Sequence, residues 1–205
     1  MNIDKKNQLE IEKAIQEVES QTDAELVCVL ARRSDDYYYI PSLWAALVAL
    51  LSPLPLSMTN WWEHSSNIIL IQFFVFISIS LLFRWPPILI RTIPKSVRYW
   101  RASNMARRQF LQHGLHHTKN RLGLLIFVSE QERYVEILAD KGISDHIENT
   151  HWEKIVGQFV QDVGEQRVSD GFMRCIQSCG HKLTSEFPAT EVKNELPDRL
   201  VLIDE

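Results

Sequence analysis

The first regular pattern along the chain is helical. Ile11, Ala14, Ile15 and Val18 recur at three- and four-residue spacing among charged positions, which predicts an amphipathic helix from about Asp4 to Ser20. The run Glu25–Ala31 (ELVCVLA) is too continuously apolar for a half-exposed strand and is predicted to lie inside a sheet. Two long apolar runs follow, Ile40–Met58 and Asn67–Ile90. The segment Lys95–Lys119 is predicted as a helix with Ala102, Ala106 and Phe110 along one side. Gly123–Ser129 and Arg133–Ala139 read as two strands of an antiparallel hairpin, closed by Asp140–Lys141–Gly142. Trp152, Ile155, Val156, Phe159, Val160 and Val163 mark the next helix, with Thr150 and Glu153 placed as a capping box and Gly164 as a stop. Phe172, Ile176, Cys179 and Leu183 mark another, beginning near Ser169 and halting before Pro188. Ala189–Asp198 shows no regular pattern, and Leu200–Ile203 reads either as a short edge strand or as an unpaired tail.

These elements give an α/β fold class: a three-layer α/β/α sandwich with a mixed sheet, interrupted by an inserted transmembrane helical hairpin. Residues 1–36 and 93–188 are the two parts of the α/β domain, residues 37–92 the hairpin and residues 189–205 an irregular tail. The hairpin reading rests on charge. Between Asp36 and Arg84 the only formally charged residue is Glu63, and Ile68–Phe83 reads IILIQFFVFISISLLF. At about 1.5 Å per residue that run spans roughly 24 Å, so crossing an ~30 Å hydrocarbon core needs an extension through Trp85 and Ile88–Ile90. The first run carries Pro53 and Pro55, which break helical hydrogen bonding in its second half. Two core helices of a soluble domain are the competing reading, set aside because buried helices usually run shorter without charge.

Charge then sets an expected orientation. From Arg84 through Arg121 there are nine Lys and Arg residues and no Asp or Glu, while the loop Ser57–Asn67 has no Lys or Arg and carries Trp61–Trp62. The positive-inside rule then predicts an inner-membrane protein with two spans and both termini cytoplasmic. Its expected partners are the lipid bilayer, whose anionic headgroups suit the basic segment, and other membrane proteins. Met1–Glu19 mixes charged and apolar residues, so no cleavable signal peptide is expected and the first span serves as the targeting signal.

The remaining composition narrows the classes. The formal net charge is −4 over 205 residues, and no zinc-finger spacing, RNA-binding aromatic motif or helix-turn-helix signature is present, which argues against nucleic acid as a partner. Three cysteines fit a reducing compartment. Cys175 and Cys179 share a helical face with Phe172, Ile176 and Leu183, which favours a core role over a redox pair or a metal site with His181.

The run TDAE (Thr22–Glu25) leading into the first strand, RLGLLIFVS (Arg121–Ser129), a strand ending ADKGI (Ala139–Ile143) and NELPD (Asn194–Asp198) together resemble the TPM domain family. The resemblance covers about Ile11–Ala31 and nearly everything from Arg107 onward; the hairpin sits where a typical member has a helix and loop. The resemblance implies an α/β/α sandwich and, for some members, acid-phosphatase activity or calcium binding.

Candidate chemistry lies in acidic groups at strand ends: Asp23 and Glu25 before the first strand, Asp140 after the third and Asp145 in the next loop. Convergent carboxylates from Asp23, Asp140 and Asp145 would hold a divalent cation such as calcium; the competing reading makes Asp23 a turn cap and Asp140–Gly142 a tight corner. His113, His116 and His117 lie close together, suited either to a metal or to a solvated basic surface. No Asp-x-Asp or Cys-x5-Arg phosphatase signature is present. The function expected from these features is a membrane-tethered binding and assembly module, and the alternative is a metal-dependent phosphatase-like hydrolase.

Overall fold

Seven consecutive buried positions make Glu25–Ala31 an interior strand, β1, and the rest of the sheet forms around it. The computed structural model describes residues 4–56, 65–83, 85, 88, 91, 93–190 and 200–203. Helix α1 (Lys5–Glu19) precedes β1 and buries the predicted stripe Ile11, Ala14, Ile15 and Val18. After β1 come α2 (Tyr39–Leu51), α3 (Pro53–Leu56), α4 (Ser65–Phe83) and α5 (Lys95–Gln112). Strands β2 (Gly123–Ser129) and β3 (Tyr134–Ala139) are followed by the one-turn helix α6 (Lys141–Ser144), α7 (Asn149–Gly164), α8 (Val168–Glu186) and β4 (Leu200–Ile203).

The strand order is β3-β2-β1-β4. β1 pairs in parallel with β2, from Glu25 opposite Gly123 to Ala31 opposite Ser129, and in parallel with β4, from Cys28 opposite Leu200 to Ala31 opposite Ile203. β2 and β3 are antiparallel, as their short connection requires. Alternation along the strands sends Leu26, Cys28, Leu30, Leu124, Ile126 and Val128 to one face, where α1, α7 and α8 pack with Ile15, Phe159, Phe172 and Ile176. Val27, Val29, Leu125 and Phe127 line the other face beneath Ala102 and Ala106 of α5. The sheet is therefore mixed, with helices on both faces, and Leu200–Ile203 is the edge strand rather than a loose tail.

The chain divides into two units: residues 1–34 with 99–205, which hold the sheet, and residues 35–98. Within the second unit α2 and α4 pack together. The small buried side chains Ala45 and Ala49 form the packing stripe of α2, and Ile68, Gln72, Val75 and Ile79 are the partly buried stripe of α4. Tyr37, Ile40 and Ile93 form a small separate cluster with Val97 against it.

The transmembrane part of the expected fold is not seen. Among the described residues no helix is long and apolar enough to cross a membrane. The physical reason is length. α2 has 13 residues, about 20 Å, before Ser52 and Pro53 break it; α4 has 19, but its first three, Ser65, Ser66 and Asn67, are polar, leaving about 24 Å of apolar helix against an ~30 Å core. The two-span inner-membrane placement with both termini cytoplasmic falls on the same finding. Glu63, Trp61–Trp62 and most of the loop Ser57–Asn67 lie outside the described residues, as do Arg84, Pro86–Pro87 and Asn194–Asp198.

Two local expectations also change. α5 stops at Gln112, and Gly114, at a left-handed φ of 72°, turns the chain into a 3-10 turn, Leu115–His117, instead of continuing to Lys119. The capping box of α7 does not form: the cap position is Glu148, and Thr150 Oγ1 donates to its carboxylate at 3.3 Å.

Candidate functional site

The amino ends of β1 and β2 coincide with the carboxyl end of β3, so topology gathers Thr22–Glu25, Arg121–Leu122 and Asp140–Gly142 at one end of the sheet. Glu25 N–H donates to Leu122 O at 3.0 Å and Asp140 N–H to Gly123 O at 2.9 Å, which ties these loops to the strands beside them. β2 lies between β1 and β3, so the Asp23 and Asp140 backbones are separated by two strand spacings, about 10 Å.

The carboxylates of Asp23 and Asp140 are engaged locally. Asp23 Oδ1 accepts Thr190 N–H at 2.9 Å and Oδ2 accepts Thr190 Oγ1 at 2.6 Å. Beside it, Thr22 Oγ1 donates to Phe187 O at 2.6 Å, so the TDAE run holds the segment that leaves α8. Asp140 Oδ1 accepts Lys141 N–H at 2.7 Å and caps α6, while its Oδ2 lies 3.6 Å from Arg121 Nε. Gly142 sits against Asn120, where a Cβ would come within 2.2 Å of the Asn120 carbonyl oxygen. That close approach explains why a glycine two residues after Asp140 accompanies the Asn120–Arg121 turn. Asp145 is exposed at the end of α6, its N–H donating to Lys141 O at 2.9 Å, and Glu25 is buried where β1 begins. Among the described residues no group of three or more His, Cys, Asp or Glu side chains is placed to hold a metal ion. The fold thus brings the loops of Asp23, Glu25 and Asp140 to one end without joining Asp23, Asp140 and Asp145 into one cluster.

His116 and His117 lie on the 3-10 turn after α5, with ring centroids 3.8 Å apart. Cys28, Cys175 and Cys179 are free and buried, with the Cys175 and Cys179 sulfurs 4.0 Å apart on one face of α8. Burial pushes the Cys28 thiol well above the ordinary thiol value; the Cys179 contact and then burial do the same for Cys175. His181 instead lines a cleft of about 450 Å³ with Glu10, Lys13, Glu17 and Gln21.

The opposite end of the sheet holds a cluster that local patterns do not reveal. Sheets of this class bind ligands beyond the carboxyl ends of their parallel strands, and there Ser129 Oγ donates to the Glu132 carboxylate. Ser34 Oγ donates to Ser129 Oγ at 2.9 Å, and Ser34 N–H donates to the two Glu132 oxygens at 3.3 and 3.2 Å. Ser129 is fully buried and Glu132 nearly so. The cluster braces the chain as it leaves β1.

A second hidden group joins α7 to α8. Asp162, buried, accepts from Arg167 Nη2 at 3.2 Å and from Arg174 Nε at 3.2 Å, and Glu165 holds Arg167 at 2.8 Å. Hydrogen bonding from Arg174 holds the Asp162 carboxyl below the usual carboxylate range, against the opposing effect of burial. The adjoining cleft of about 230 Å³ is lined by Lys154, Gln158, Arg174 and Ser178.

Residues 87–182 match the family model of the TPM domain. The match begins after β1, although β1 is the strand that joins β2 to β4. The NMR structure of the BA42 protein from the psychrophilic bacterium Bizionia argentinensis is similar, with a TM-score of 0.61 and 16% identity over 98% of this chain and 96% of that one. At that identity the likeness shows the fold. No curated protein matches the chain.

Proposed function

We propose, from the match of residues 87–182 to the TPM domain, that this chain is a binding and assembly module whose α2–α4 unit packs against apolar helices of another polypeptide. The observation that carries this reading is the outer surface of that unit. Leu43, Leu47, Leu50 and Leu54 repeat along α2 and α3, and Ile69, Phe73, Phe74, Ile77 and Leu81 along α4, all exposed; Leu50 is 69% exposed and Phe74 66%. Burying a side chain of this size is worth about 1.5–3 kcal/mol, and an apolar surface that carries no charged side chain among the described residues of α2, α3 and α4 is matched by another apolar surface. The hydrolase alternative asks Asp23 and Asp140 to exchange Thr190 and the Lys141 amide for a cation, which favours the binding reading.

The test places a photoreactive residue at Leu50 or at Phe74 in the full-length chain, with exposed Glu153 as the control position. Polypeptide adducts are expected from the first two sites and not from the third, and adduct mass tells a second copy from a different protein. Leu50→Glu combined with the probe at Phe74 should remove the adduct. Crosslinking to lipid or solvent alone from both sites would overturn the proposal.

A further inference from the structure

We propose that the free edge of β3, with the groove between β3 and α5, accepts an extended acidic segment of a partner protein as a fifth strand. This surface belongs to the sheet-bearing unit and is independent of the α2–α4 reading. β3 is an outer strand, and the hydrogen bond from Asp140 N–H to Gly123 O sets the phase of its ladder with β2. In an antiparallel pair the hydrogen-bonded positions alternate, so Tyr134, Glu136 and Leu138 bond to β2 while the N–H and C=O groups of Val135, Ile137 and Ala139 point outward. Ser144 Oγ donates to Ala139 O at 3.2 Å; Val135 and Ile137 have no outward backbone partner among the described residues. Natural edge strands are usually blunted by charge, Pro or a bulge; YVEILA has no Lys or Pro and pairs with β2 in unbroken register, and its one charged side chain, Glu136, turns to the α5 face, where Ser103 Oγ donates to it at 3.2 Å. An added strand would bond at Val135 and Ile137.

The groove supplies side-chain selectivity. Phe110 and Leu111 of α5 and Leu138 and Ala139 of β3 enclose about 250 Å³ of almost wholly apolar space beside Arg107. Alternate side chains of a strand laid along β3 point to one face, so an apolar residue enters this groove while its neighbour on the other face does not. Charge decides the occupant. Arg107 at the groove and Arg108 beside it are exposed and form no ion pair among the described residues, the sequence from Arg84 to Arg121 contains no acid, and the one acid of β3, Glu136, is held by Ser103 Oγ of α5 at 3.2 Å. A second copy pairing through β3 would bring its own cationic α5 alongside, whereas an acidic segment is attracted.

The test selects octapeptides from a random displayed library against the full-length protein. Enrichment of sequences alternating apolar and acidic residues is expected. A synthesised winner should slow amide exchange at Val135 and Ile137, and N-methylation of its backbone should abolish binding. Arg107→Glu, an exposed change, should weaken it about tenfold, the equivalent of about 1.4 kcal/mol. No enrichment, enrichment of basic peptides, binding that leaves the Val135 and Ile137 amides unprotected, or concentration-dependent self-pairing through β3 would each overturn the proposal.

Discussion

Arg174 grips Asp162 with two nitrogens, Nη2 standing 2.5 Å from Oδ1 and Nε donating to Oδ2 at 3.2 Å. This fork is the strong form of a charge-assisted pair, and here it locks α8 to α7 around a buried carboxylate. Asp162→Ala should cost about 1–3 kcal/mol in urea unfolding, since two guanidinium groups lose their shared acceptor. The sign of the pH dependence follows from the native carboxyl lying below its ordinary value. The stabilisation is present above the unfolded-state value, about pH 4, and is lost as pH falls through the lower native one. In Asp162→Asn that acid-side loss should shrink, which parallel melting curves between pH 3 and 7 would reveal.

Val18 of α1 lies so close to Gly180 of α8 that a Cβ on Gly180 would come within 2.4 Å of Val18 Cγ2. Gly180→Ala brings up to about 1 kcal/mol of helix propensity and should still destabilise, because overpacking costs about 1–3 kcal/mol. Adding Val18→Ala opens the space, so the double variant should melt higher than the sum of the two single changes predicts.

Glu132→Ala removes the acceptor for Ser129 Oγ and for Ser34 N–H. Leaving the buried Ser129 hydroxyl and the part-buried Ser34 amide unmatched should cost about 1–3 kcal/mol. Hydrogen exchange at the Ser34 amide should accelerate more than exchange within β2, and equal acceleration at both would show global loosening instead.

The three thiols are buried, and those of Cys28 and Cys175 are raised above the ordinary thiol value, so little thiolate is available. A thiol-reactive dye at pH 8 should label none of them in the folded protein and all three after denaturation. Fast labelling of the native chain would contradict this packing.

Asp23 tethers Thr190 through two hydrogen bonds. Asp23→Ala should lower the melting temperature by a few degrees, corresponding to about 1 kcal/mol, with or without calcium chloride. A melting temperature that calcium raises in the parent chain but not in the variant would instead identify Asp23 as a cation ligand.

Much of the fold was legible in residue patterns. The buried set of α1 is the predicted stripe, Glu25–Ala31 is interior, and Gly123–Ser129 with Tyr134–Ala139 is the predicted hairpin. The apolar tract misled because composition counts hydrophobic residues without measuring how far the helix continues. Pro53 ends the first helix, and three polar residues open the second. The candidate site was legible only in part. TDAE and ADKG do meet at one end of the sheet, but Asp23 is taken by Thr190, 167 positions away, a partner no local motif announces.

What the order of residues determined by itself is element type and apolar face, because the helical and strand repeats are local and recur every few positions. Tertiary structure alone decided that β4 would lie parallel to β1 and that Ser34 would meet Ser129 across 95 positions. It likewise set the outward edge of β3 beside Arg107. Such meetings depend on how the chain closes loops far longer than any repeat, and that closure is paid for by the assembled core rather than by the residues that come together.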